Sequence, residues 1–262
     1  MIAVSYSLQK KRMEITKELK LAVLIDADNV PYSNIKGMLE EIAKYGTPTF
    51  KRIYGDWTKP TLGGWKTVLL ENAITPIQQY SYTSGKNSSD SALIIDAMDI
   101  LYTGQVDGFC IVSSDSDFTR LATRLREAGK KVFGIGEKKT PAAFIAACNK
   151  FIFIEILQKE IKEDVPVKAT LKKTAKKNVE HSTVNHPLKK LIIKSINDLT
   201  EDDEWVFLST LGNHIIKKEP SFDPRNYGFK KLVDIIRTIT EIAIEERAGG
   251  KGGIAHLYVR VK

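Results

Sequence analysis

The chain has 262 residues, 27% of them charged, and a net charge of +8, so it is long enough for two cored domains. No apolar run reaches the length of a membrane span, and the first 20 residues lack the long apolar centre of a signal peptide; a cytoplasmic protein without a membrane partner is expected. The two cysteines, Cys110 and Cys148, lie in apolar segments with no ligand spacing, which excludes a disulfide framework or a thiolate metal site and leaves two reduced core residues.

The positive charge is unevenly placed. Residues 1–20 carry five basic and two acidic side chains, and residues 159–190 carry nine lysines against four acids, while 21–158 and 191–262 are each balanced. Two readings of the lysines stand open: they hold a polyanion near the folded part, or they only keep a linker solvated.

In chain order, residues 1–20 have no clear period and read as a tail or a short helix. From Leu21 strands and helices alternate through residue 158. LAVLID is a strand, followed by a helix with Ile35, Met38, Leu39 and Ile42 on one face, then the strand TFKRIYGDW and the helix GGWKTVLLENA. PIQQYSYT, GFCIV, KVFGIG and FIFIEIL supply further strands, with the helices NSSDSALIIDAMDILYTG, TRLATRLREAGKK and PAAFIAACNK between them. Six strands with interleaved helices specify an α/β fold with a doubly wound, mainly parallel sheet. Residues 159–185 have few large apolar residues and read as a basic linker. Residues 186–262 give three amphipathic helices and a terminal hairpin with a Gly-rich turn, a small winged-helix α+β domain.

The acids fall at particular places in this pattern. LAVLIDADNV and GFCIVSSDSDF are apolar strands that end abruptly in Asp26 and in Asp115 and Asp117. In an open parallel sheet, ligands bind outside the carboxyl ends of the strands, so these acids converge if the two strands are neighbours. Helical spacing places Asp90 on the buried line of Leu93, Ile94, Ala97 and Leu101, whereas Asp96 and Asp99 point away from it and read as solvent-facing acids, unless a local distortion draws Asp96 in. N-capping offers another account of each acid, but a helix needs only one capping side chain. Clustered carboxylates with oxygen donors alone favour Mg²⁺ or Mn²⁺.

Three chemistries compete for this pattern. The first is metal-dependent phosphodiester hydrolysis, with Asp26, Asp90, Asp115 and Asp117 holding Mg²⁺ or Mn²⁺; it needs no side-chain nucleophile, and all four histidines lie beyond residue 180. The second rests on LIDADNV, which resembles the first motif of the haloacid-dehalogenase phosphatases and would make Asp26 a nucleophile and Asp28 a general acid. Against it, SSDSDF lacks that family's Gly-Asp opening and its wider acid spacing. The third is a catalytically silent RNA-binding adaptor that keeps the acidic pocket.

LIDADNVPYSNI, KRIYGDW, GKNSSDSALIIDAMD and VSSDSDFTRLATRLREAGKKVFGIG follow one another in order. Over residues 20–157 this resembles the NYN domain, the LabA-like branch of the PIN-like nucleases. The resemblance implies an RNA-directed, metal-dependent endonuclease fold in which Asp26, Asp90, Asp115 and Asp117 match the acidic positions and Asn29 the companion polar residue. Ser114 departs from it, standing where many relatives have Gly. The C-terminal WVFLSTLGNHIIKKEPSFDPRNYGFKKLVDII is similar to the LOTUS (OST-HTH) winged helix, which implies binding of RNA or of a protein partner. Its GGKGG wing tip, with Arg247 and Lys251, is a candidate phosphate contact. Lys86, just before Asp90, is a candidate phosphate clamp. Trp57, Tyr80 and Tyr82 are candidate stacking surfaces for unpaired bases, and Trp65 reads as core.

Overall fold

The computed structural model describes residues 18–80, 88–157, 186–200, 205–247 and 255–262. Residues 1–17 of the tail, the linker 159–185, Tyr82, Lys86, Lys251 and the GGKGG tip lie outside them. No helix among the described residues is long and apolar enough to cross a membrane.

The first body is built on one six-stranded sheet in the order β3-β2-β1-β4-β5-β6. Its strands are β1 (Lys20–Asp26), β2 (Thr47–Gly55), β3 (Thr75–Gln78), β4 (Gly108–Val112), β5 (Lys131–Gly136) and β6 (Lys150–Phe153). Between them run α1 (Ile35–Ala43), α2 (Trp65–Glu71), α3 (Ser88–Thr103), α4 (Thr119–Glu127) and α5 (Ala142–Ala147). β1 and β4 are the central pair, parallel and in register from Leu21↔Gly108 to Ile25↔Val112. They are buried almost throughout, which is why each reads as a continuous apolar run rather than an alternating one. β3 is an edge strand and carries Pro76, whose missing N–H costs nothing at an edge.

The pairing of β1 with β2 slips between Leu21 and Ala22, opposite Pro48 and Phe50. Pro48 has no N–H to give the ladder, and the Thr49 hydroxyl donates instead to the Leu21 carbonyl at 3.2 Å. Gly136 closes β5 against the tip of β4: a Cβ there would lie 2.6 Å from the Ser113 carbonyl. FIFIEIL, expected as one strand, divides; β6 stops at Phe153 and residues 154–157 turn helical.

The second body has α6 (His186–Asn197), β7 (Val206–Phe207), α7 (Leu208–Lys218), α8 (Leu232–Arg237), β8 (Ile242–Arg247) and β9 (His256–Val261). Leu188, Ile192, Ile196, Leu211, Ile215 and Ile235 lead its core. Two expectations are corrected here. The helix expected from Trp205 begins only at Leu208, because Val206 and Phe207 pair antiparallel with Val259 and Tyr258. The helix expected from Asn226 begins at Leu232, because Pro224–Tyr227 is a tight turn that Gly228 ends at a φ of 82°, a left-handed conformation that suits glycine.

Candidate metal centre

Strand order reverses between β1 and β4, and Asp26 and Ser113 are the next residues past their paired ends. This is the switch point at which open α/β sheets bind ligands. Asp115 caps the turn Ser116–Phe118: its Oδ1 accepts from the Asp117 N–H at 2.9 Å, and its own N–H donates to Ser113 Oγ at 3.1 Å. Phe118, with none of its surface exposed, anchors that turn in the core beside Phe144. Asp90 enters from the first turn of α3 and is buried.

One carboxylate oxygen from each of Asp90, Asp115 and Asp117 lies within 4.8 Å of the others. Adjacent ligands of an octahedral Mg²⁺ are about 3.0 Å apart and opposite ones about 4.2 Å, at metal–oxygen distances of about 2.1 Å. Three like charges with one of them buried repel unless a cation stands among them. The donor set is oxygen alone and suits Mg²⁺ or Mn²⁺ rather than a thiolate-seeking metal.

Asp26 is not a member of that close trio. Its side chain, 1% exposed, accepts from Asn29 Nδ2 at 2.6 Å and from the Asp28 N–H at 3.2 Å. Asn29 therefore spends its amide on orienting Asp26. Asp28 pairs with Lys59 at 3.5 Å. The Ser114 hydroxyl accepts from the Glu137 N–H at 2.8 Å and ties the exit of β4 to that of β5. The Trp57 indole donates to the Ile77 carbonyl at 3.0 Å, which fixes its polar edge on β3. Trp65 is 2% exposed and meets Tyr32 edge-on; Tyr80 is exposed.

Asp96, expected to face solvent, does not. It accepts from the Arg52 guanidinium and from the Tyr54 hydroxyl, two side chains on the face of β2 toward α3. Burial first, then the bond to Asp96, pushes the Tyr54 phenol far above its ordinary range. The bond to Asp96 likewise raises Arg52. This network clamps to the sheet the helix that carries Asp90. Two further residues escaped the sequence reading. Asp56, buried at the tip of β2, accepts from Thr58 Oγ1 at 2.6 Å and Gln78 Nε2 at 3.0 Å. Lys59 is a described cation beside the β1 loop. KRIYGDWTKP held the signal for both, a third strand running into an acid.

Residues 20–155 match the NYN domain family. The chain belongs to that family. Residues 180–254 match the OST-HTH/LOTUS domain, so a LOTUS domain follows the NYN domain. Among solved structures, a protein of unknown function from Vibrio parahaemolyticus is 21% identical, with 53% of this chain and 94% of that one covered and a TM-score of 0.44. An uncharacterised protein from Nitrosomonas europaea is 29% identical over 37% of this chain and 92% of its own, with a TM-score of 0.28. A fragment from Chromobacterium violaceum is 30% identical over 29% and 82%, with a TM-score of 0.24. No curated protein matches the chain.

Proposed function

We propose that this chain is a cytoplasmic, metal-dependent endoribonuclease acting on single-stranded RNA, with residues 21–158 as the nuclease domain, 159–185 as a basic linker and 186–262 as a module that holds RNA. The observation that carries it is the close approach of Asp90, Asp115 and Asp117 at the switch point of an NYN domain. These three would hold the ion, and Asp26, oriented by Asn29, would serve as the fourth acid. A bound Mg²⁺ or Mn²⁺ supplies Lewis-acid stabilisation of the phosphoryl group and a water of lowered pKa. The chain's own part is to fix its carboxylates in advance: Asp115 by the turn it caps, Asp90 by the clamp on α3, Asp26 by its amide partner. Asp117 is the most exposed of the trio, on the side open to substrate. Trp57, Lys86 and Ser114 are proposed to line the path of the strand.

Purified full chain should cut single-stranded RNA with Mn²⁺ or Mg²⁺, and EDTA should abolish the cut. Asp115→Asn should slow it about a hundredfold or more, as removal of one transition-state stabilising group does. RNA binding with no cleavage under any metal would make the chain an adaptor. Hydrolysis of an aryl phosphate with a covalent adduct trapped on Asp26 would make it a dehalogenase-type phosphatase.

A further inference from the structure

The small sheet of the second body runs β7-β9-β8, antiparallel throughout. Val206, Ile242, Ile244, Val259 and Val261 point from it into the core. By the period of two, the neighbours of these residues face outward. An outward sheet face is ordinarily polar, but here it holds Trp205, Phe207 and Tyr258 in one cluster with His256. Phe207 lies 5.6 Å from Tyr258, centroid to centroid, and meets His256 edge-on at 5.3 Å.

Two guanidinium groups lie over these rings. Arg247 stands 4.5 Å from the Tyr258 centroid and 5.6 Å from that of Trp205, and Arg260 stands 5.0 Å from Trp205. Glu245 offsets one charge through its pair with Arg247 at 3.0 Å. Arg260 Nε is buried with no acceptor among the described residues. Flat aromatic surface interleaved with guanidinium suits unpaired bases, which stack on the rings while phosphates meet the cations. The net positive charge of these side chains, two arginines against one glutamate, complements a polyanion.

We propose that this outer face, centred on Trp205, Phe207 and Tyr258 and flanked by Arg247 and Arg260, is a single-stranded RNA-binding surface that works by base stacking. The proposal rests on the reading of the chain as an RNA-acting protein and gives that reading a holding site built by the sheet of the second body. It needs no metal, so binding is measured on the full chain in EDTA by anisotropy of a labelled single-stranded RNA.

Trp205→Leu and Tyr258→Leu should each weaken binding about five- to a hundredfold and leave the slope of log K against log[salt] unchanged. Arg247→Gln with Arg260→Gln should lower that slope by about 0.7 for each phosphate that is no longer neutralised. The same RNA annealed to its complement should bind more weakly than the single strand. Circular dichroism melts establish that each variant folds. For any that does not, a 4-thiouridine RNA cross-linked to the unmodified chain gives the answer, with adducts expected on residues 205–207 or 256–260. Unchanged affinity in the folded aromatic variants, or adducts confined to other segments, would overturn the proposal and leave the face as a protein-docking surface. A chain that binds through this face but never cuts would defeat the nuclease reading alone; one that cuts while these variants bind normally would defeat this proposal alone.

Discussion

The acid-tipped crevice of the six-stranded sheet and the outer face of the three-stranded sheet are built by opposite means. In the crevice, backbone topology delivers three carboxylates to one point, a donor set suited to a divalent cation. On the small sheet the charges lie over aromatic rings, and one of them is already paired. On the proposed reading, the first surface would need a metal to meet a polyanion, and the second would hold one without metal. The difference makes turnover and holding separable on that reading.

The largest effect should come from Asp115→Asn: a drop in turnover of about a hundredfold or more at saturating RNA, with affinity in EDTA hardly altered. If both fall together, the two surfaces are not independent. Phe118→Ala, which empties the anchor beneath the Asp115 turn, should cost about 3–5 kcal/mol. Trp57 and Trp65 fluorescence, compared in urea with that of Trp205 through Trp→Phe variants, should confine the loss to the first body. Mn²⁺ at about a hundredfold its Kd should raise the stability of the wild type by about 2.7 kcal/mol, and Asp90→Asn should remove most of that rise in a thermal melt. An undiminished rise would place the ion elsewhere.

Smaller effects sharpen the contrast through pH. The folded state holds the Tyr54 phenol protonated well above its ordinary value of 10.0. Its contribution is therefore complete below pH 10 and lost as pH rises further, and one tyrosine should resist ionisation at 295 nm until the first body unfolds. Tyr54→Phe should remove that resistant signal. In the second body the bond from Lys189 lowers Glu241 from 4.5 to about 2. Its contribution is present above pH 4.5 and fades as pH falls toward 2, a slight effect because the pair is exposed and one that Lys189→Gln should reduce.

What the sequence discloses follows the range of the forces involved. β1 and β4 are legible because a central parallel strand buries both faces, and an apolar run that stops at an acid needs no partner to be noticed. Asp90 is legible as a buried acid because helical spacing fixes its direction within one element. Asp96 is not, since its environment comes from Arg52 and Tyr54 more than forty residues away, and a helical wheel sees only its own helix. β7 is hidden for the same reason. Two residues carry no period, and only their pairing with β9 makes them a strand. Once Phe207 is read as helix, the outward face it completes cannot be seen. The LIDADNV segment exposes the opposite weakness, a short motif that two unrelated chemistries share.

The burial of β4 also makes it a clock. Every residue from Gly108 to Val112 is buried at the centre of the sheet, so the amide protons of Cys110 and Ile111 exchange with deuterium only when the whole body opens. Asp115 lies three residues past Val112, on a turn that opens no later than the sheet does. The exchange rate of two silent core amides therefore sets an upper bound on how long the carboxylates stay assembled.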